Sequence, residues 1–79
     1  MLITIRLFAF QAQAAARQLT LTLPDHATCA DAIAQLQRLH PTLPWPPGTL
    51  PAVNNQYVPL THPLQPNDTL AIIPPVSGG

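Results

Sequence analysis

Thr28-Cys29-Ala30-Asp31-Ala32-Ile33-Ala34-Gln35-Leu36-Gln37-Arg38-Leu39-His40-Pro41 is the stretch that decides the fold, because it carries a helical period in a chain otherwise patterned for strands. Thr28 followed three residues later by Asp31 has the form of a capping box, with Asp in place of the usual Glu, and sets the helix start. Cys29, Ile33, Leu36 and His40, with Ala32 and Leu39 beside them, recur at three- and four-residue spacing. They form one apolar stripe on a helix of about three turns. Pro41 ends it, since proline has no N–H to donate.

Upstream, Leu2 to Phe10 opens with Ile3, Ile5 and Leu7 alternating with Thr4, Arg6 and Phe8, the period of two that a half-buried strand requires. Leu19, Leu21 and Leu23 alternate with Thr20 and Thr22 until Pro24-Asp25 breaks the pattern, giving a second strand and a hairpin. Downstream, five prolines and one glycine between Pro41 and Pro51 exclude regular structure. Ala52-Val53-Asn54 and Gln56-Tyr57-Val58 then read as two short strands about a turn at Asn54-Asn55. Pro63 to Asp68 makes another turn, and Leu70 to Ile73 is the last strand, which Pro74-Pro75 stops. With the two short pieces about Asn54-Asn55 taken together, the order is β-β-α-β-β, followed by the tail Pro74-Pro75-Val76-Ser77-Gly78-Gly79.

Seventy-nine residues support one domain and one modest core. Apolar residues are 47% and charged ones 8%, which excludes a disordered charged tail and leaves an unusually uncharged surface of the kind that expects a partner. Arg6, Arg17 and Arg38 balance Asp25, Asp31 and Asp68 without forming a basic stripe, so nucleic acid is not an expected ligand. The single cysteine, Cys29, cannot form an internal disulfide, no signal-peptide pattern opens the chain, and no apolar run approaches the ~20 residues of a membrane span. A cytoplasmic protein without a membrane segment is expected.

The hairpin, the single helix, Ala52-Val53-Asn54, the turn at His62-Pro63-Leu64 and the ending Pro-Pro-Val-Ser-Gly-Gly together resemble the small-subunit family of molybdopterin synthase. The resemblance runs from Leu7-Phe8-Ala9 to the final glycine. It implies an α+β, ubiquitin-like β-grasp: a mixed sheet on one main helix, with the first and last strands parallel at its centre. Residues 1–73 would be the domain and 74–79 the tail. It also implies a sulfur carrier, not itself an enzyme with a catalytic constellation, whose active-site pocket belongs to the large subunit of the synthase. A two-plus-two heterotetramer with that subunit is the expected assembly.

The chemistry implied centres on Gly79. A C-terminal carboxyl of pKa ~3.3–3.7 is ionised at neutral pH and resists nucleophiles. In the family's logic an E1-like adenylating enzyme activates it with ATP, and a sulfur donor enzyme displaces AMP to leave a thiocarboxylate. Two such carriers in turn convert a cyclic pyranopterin monophosphate into the molybdopterin dithiolene of the molybdenum cofactor. Gly78 and Gly79 lack the Cβ that a narrow channel would exclude. Ordering about four tail residues costs roughly 4–8 kcal/mol. Pro74 and Pro75 lower that cost by stiffening the base of the tail ahead of Val76 and Ser77. The remainder must come from an interface on the domain, for which alternation and the family together nominate Phe8, Tyr57 and Ile73. No cofactor is expected to be bound, apart from the covalent thiocarboxylate.

His26, His40 and His62 have no metal-ligand spacing, so no metal site is expected. Cys29, on the inner face of the helix, reads as a buried filler and not as a sulfur relay. Trp45, among Pro44, Pro46 and Pro47, reads as packing for the long crossing. Three rival functions share the fold: a carrier for thiamine or another sulfur-containing product, a ubiquitin-like modifier joined to target lysines through Gly79, and a binding module that never uses its terminus. The chain contains no lysine, so a modifier of this sequence could not build lysine-linked chains on itself.

Overall fold

The alternation that opens the chain becomes strand β1, Leu2–Leu7, with Ile3, Ile5 and Leu7 buried and Leu2 and Arg6 exposed. The computed structural model describes residues 1–7, 18–43 and 47–73. β2 (Gln18–Thr22) runs antiparallel to β1, and a reciprocal pair of hydrogen bonds between Met1 and Leu23, at 2.7 and 2.9 Å, extends their ladder. Helix α1 (Cys29–Leu39) follows, then β3 (Leu50–Val53), β4 (Gln56–Tyr57) and β5 (Thr69–Ile73). Among the described residues the sheet order is β2-β1-β5-β3-β4, with β1 and β5 parallel and the other pairs antiparallel.

The helix begins where the capping box puts it. The Asp31 N–H donates to Thr28 Oγ1 at 3.3 Å, and the Thr28 N–H donates to Asp31 Oδ2 at 2.9 Å. The next two N–H groups, which a helix start leaves without intrahelical partners, donate to loop carbonyls: Cys29 to His62 and Ala30 to Leu60, each at 3.0 Å. Leu64 N–H completes the strap by donating to Ala27 O at 2.7 Å. Loop 60–64 is thereby tied to the helix entry, and buried Leu64 joins the core there.

Cys29, Ala32 and Leu36 of α1 pack with Ile3, Ile5, Leu7, Leu21, Leu70 and Ile72 in one core, with Ile33 partly buried against it. Leu39 departs from the expected stripe: it is 55% exposed. It lies three residues on from Leu36, at the last helical position, next to the His40 C-cap that has already left helical geometry.

The proline-rich crossing also differs from expectation, because β3 begins at Leu50 and includes Pro51. The Pro51 carbonyl accepts from the Val58 N–H, so the proline nitrogen on the same edge faces away from β5. Its missing donor therefore removes nothing from the β3–β5 ladder, in which Pro51 pairs with Ile72. The β3–β4 turn is built from Asn54 and Asn55 at φ of 50° and 73°, the left-handed pair that suits a two-residue hairpin. Asn54 also bridges to β5: its Oδ1 accepts from Thr69 N–H at 3.1 Å, and its Nδ2 donates to Asp68 Oδ1 at 3.0 Å. Phe8 to Phe10 and Trp45 lie outside the described residues.

The two leucines of the helix give a test of this packing. Leu36→Ala, at a fully buried site, is expected to cost about 2–5 kcal/mol, whereas exposed Leu39→Ala should stay within about 0.5 kcal/mol. Urea unfolding followed by circular dichroism measures both, and equal losses would contradict the assignment of Leu39 to solvent.

Candidate docking face around the end of the last strand

Period-two alternation sends Ile3, Ile5, Leu7, Leu70 and Ile72 toward α1. Thr4, Arg6, Thr69, Ala71 and Ile73 are left on the opposite, open face. The register aligns these in rows. Gln18, Arg6, Ala71, Ala52 and Tyr57 cross the sheet side by side, with Leu50 and Ile73 paired in the adjacent row. Tyr57 is 65% exposed and Leu50 50% exposed, while Ile73 is half-buried.

Ala52 is only 4% exposed although it belongs to the open face, because Tyr57 stands directly across from it in β4. With Ala71 it forms the floor of a hollow of about 230 Å³, walled by Arg6, Tyr57 and Ile73 and closed at one end by Asn55 and Thr69. A more polar hollow adjoins it, sharing Arg6, Asn55 and Thr69 and adding Thr4, Gln18 and Asn54. The open face thus grades from neutral polar groups near Thr4 to an apolar stripe at Leu50 and Ile73. Ile73, the last residue of β5, lies in that stripe.

Of the residues nominated from sequence, Tyr57 and Ile73 lie on this one face, and Val58 turns inward against the core as Tyr57's outward position requires. Phe8 and Pro74, Pro75, Val76, Ser77, Gly78 and Gly79 lie outside the described residues. Sequence reading began this strand at Ala52, so it missed Leu50, which the run of prolines placed in the crossing, and it did not nominate Ala52 for the face. It also passed over Arg6 and Ala71, whose outward positions were implied by the same alternation that placed their neighbours inside. No described helix is long and apolar enough to cross a membrane.

Comparisons with known proteins bear on the fold that presents this face. The model of the ThiS family matches residues 5–79. SAMP1 from Haloferax volcanii is similar over the full length of both chains, at 27% identity and a TM-score of 0.85. A Pyrococcus furiosus chain assigned as subunit 1 of a molybdopterin converting factor is similar at 23% identity and a TM-score of 0.81, over 95% of this chain and 98% of that one. A protein–protein complex of subunits 1 and 2 of the Helicobacter pylori molybdopterin-converting factor contains a chain similar at 22% identity and a TM-score of 0.72, with complete coverage of both. The fold is therefore the ubiquitin-like β-grasp, with its mixed sheet and one described helix.

Cys29 stands apart from this face, fully buried on the far side of the sheet. Burial raises its thiol pKa above the ordinary value, and the Asp68 carboxylate raises it further. The thiol is held protonated and is a poor nucleophile. Iodoacetamide at mildly alkaline pH should alkylate Cys29 far more slowly in the folded chain than in urea. As pH climbs past the free-thiol range of about 8.5, the unfolded chain should lose the proton first and folding stability should fall. Equal alkylation rates, read by mass spectrometry, would show an accessible thiolate instead.

Proposed function

Because the chain belongs to the ThiS family of ubiquitin-like sulfur carriers, we propose that it is the sulfur-donating subunit of a molybdopterin synthase and works through Gly79. In this reading an oxygen of the Gly79 carboxylate attacks the α-phosphorus of ATP on a partner adenylating enzyme, and pyrophosphate leaves. A donor's sulfur, at the oxidation level of sulfide, then attacks the acyl carbon and AMP departs, so that Gly79 ends in a thiocarboxylate. The large subunit takes the tail into its own pocket, where the sulfur passes to a cyclic pyranopterin monophosphate. Hydrolysis of the Gly79 acyl group returns the carboxylate.

The observation that carries this reading is the position of Ile73. It ends a strand held by β1 on one side and β3 on the other, so the last described position of the chain is fixed in an apolar stripe. A partner that covers Leu50, Tyr57 and Ile73 gains hydrophobic contact at the place where the tail enters it. That gain can offset the entropy of ordering the tail. The Helicobacter complex of subunits 1 and 2 supports a large-subunit partner, and a two-plus-two heterotetramer is the assembly proposed.

The likeness to SAMP1, a small archaeal modifier protein, favours one second reading, conjugation of Gly79 to amines of other proteins. Both readings use the adenylation step and part at the acceptor. Intact-mass analysis of the protein from its native cell separates them. The expected result is a species in which one oxygen is replaced by sulfur at the C-terminus; conjugates ending at Gly79, with no sulfur-bearing species, would favour the modifier. Deleting Gly79 should abolish sulfur transfer while leaving the thermal midpoint unchanged, and a fully active truncation would refute both.

A further inference from the structure

We propose that Asn54 is a positioning residue for docking: its side chain clamps the β3–β4 hairpin to the start of β5 and so holds Tyr57 and the closed end of the hollow in the shape that the large subunit meets. The inference rests on the docking reading above and adds to it the device that shapes the face.

The clamp consists of three hydrogen bonds. Asn54 stands one step beyond the Val53–Leu70 pair that ends the β3–β5 ladder, and its N–H donates to Thr69 O at 3.0 Å. In an antiparallel pair the return bond goes to a backbone carbonyl. Here the Thr69 N–H donates to Asn54 Oδ1 instead, at 3.1 Å, so the side chain carries the ladder into the turn. Asn54 Nδ2 donates the third bond, to Asp68 Oδ1 at 3.0 Å. Asp68 is itself fixed, since its Oδ2 accepts from the Gln65 N–H at 2.9 Å and its carbonyl accepts from the Thr4 N–H at 3.0 Å. The turn is thereby tied to β5 directly and to β1 through Asp68.

What the clamp holds is the part of the face with least support of its own. β4 has two residues, both exposed, and among the described residues it pairs with β3 alone. At its far end the Val58 N–H bond to Pro51 O, at 3.3 Å, and the packing of Val58 hold the strand in place. At the turn that task falls to Asn54. The lining of the hollow shows the connection: Asn55 is next in the chain, Thr69 is bonded to the Asn54 side chain, and Tyr57 rides on the hairpin that it ties down. Asn54 itself lines the more polar hollow beside this one. A large aromatic held in place before association loses less freedom on binding, so the clamp raises affinity without touching the apolar stripe. Positive φ alone does not account for asparagine here, because glycine would meet the φ of 50° and could not make the side-chain bonds.

Calorimetric titration against the purified large subunit tests this. Asn54→Gly keeps the positive φ and removes both side-chain bonds, and it is expected to weaken binding about tenfold. A double-mutant cycle with Tyr57→Ala separates positioning from a general loosening of the domain. Once Tyr57 is gone, adding Asn54→Gly should weaken binding by less than about twofold more. An exchange across the same bond gives the rescue. Asn54→Asp alone sets two carboxylates side by side and should also cost about tenfold in affinity, whereas adding Asp68→Asn reverses donor and acceptor and should restore binding to within about threefold of the unaltered chain. Should Asn54→Gly fail to fold, the exchange decides alone. Binding by Asn54→Gly within about twofold of the unaltered chain, losses that simply add to those of Tyr57→Ala, or an exchange that recovers nothing overturns the inference. If the unaltered chain acquires sulfur and binds while one of these results is found, only this inference falls; if it neither acquires sulfur nor binds the large subunit, the proposed function falls with it.

Discussion

The parallel pairing of β1 with β5 is the constraint on which the rest of the molecule depends. Thr4 to Leu7 align with Thr69 to Ile72, so the first and last described strands lie side by side while the rest of the fold connects them. Parallel neighbours cannot be joined by a tight turn, and the connection must cross over a face of the sheet. Here that crossing includes α1, whose buried Cys29, Ala32 and Leu36 seal the inner sides of both strands. Because β5 is needed to complete the centre of the sheet, the domain closes only after residue 73 has been made. Contacts of such long sequence separation slow folding relative to helical domains of similar size.

How much of this was legible in the sequence depended on whether the signal was local. The capping box of Thr28 and Asp31, the alternation of β1 and β2, and the Asn54-Asn55 turn are all written within a few residues, and each forms where its pattern places it. Pro51 was misleading because proline's cost in a strand depends on which edge its nitrogen faces, and that edge is known only once Val58 and Ile72 are in place. Leu39 misled for a related reason: helical spacing gives direction around the axis and says nothing of what packs against the helix's last turn. The parallel centre came from family resemblance, since a strand's pattern does not name its neighbour. The candidate face was half legible. Alternation turned Ile73 outward, but only the register brings Leu50, Ala52 and Tyr57 beside it.

The open face owes its character to what is missing from it. A sheet surface facing water commonly carries charged side chains, yet among the described residues this one carries threonine, glutamine, alanine, leucine, isoleucine and tyrosine around a single arginine. Two alanines at its centre keep the surface concave, and Tyr57 supplies a large rigid aromatic at the short outer strand. An aromatic and an arginine about a small-residue floor are the groups most often found to dominate protein interfaces.

The turns hold one further consequence. His26, Asn54, Asn55 and Asn67 all sit at positive φ, where glycine would meet no steric penalty, and the chain has only three glycines, Gly48, Gly78 and Gly79. A side chain at such a position restricts the denatured ensemble, so each of these bends forfeits less disorder on folding than a glycine would, against some strain in the native state. The domain is thus tightened partly through its unfolded state, with backbone latitude kept scarce in its corners.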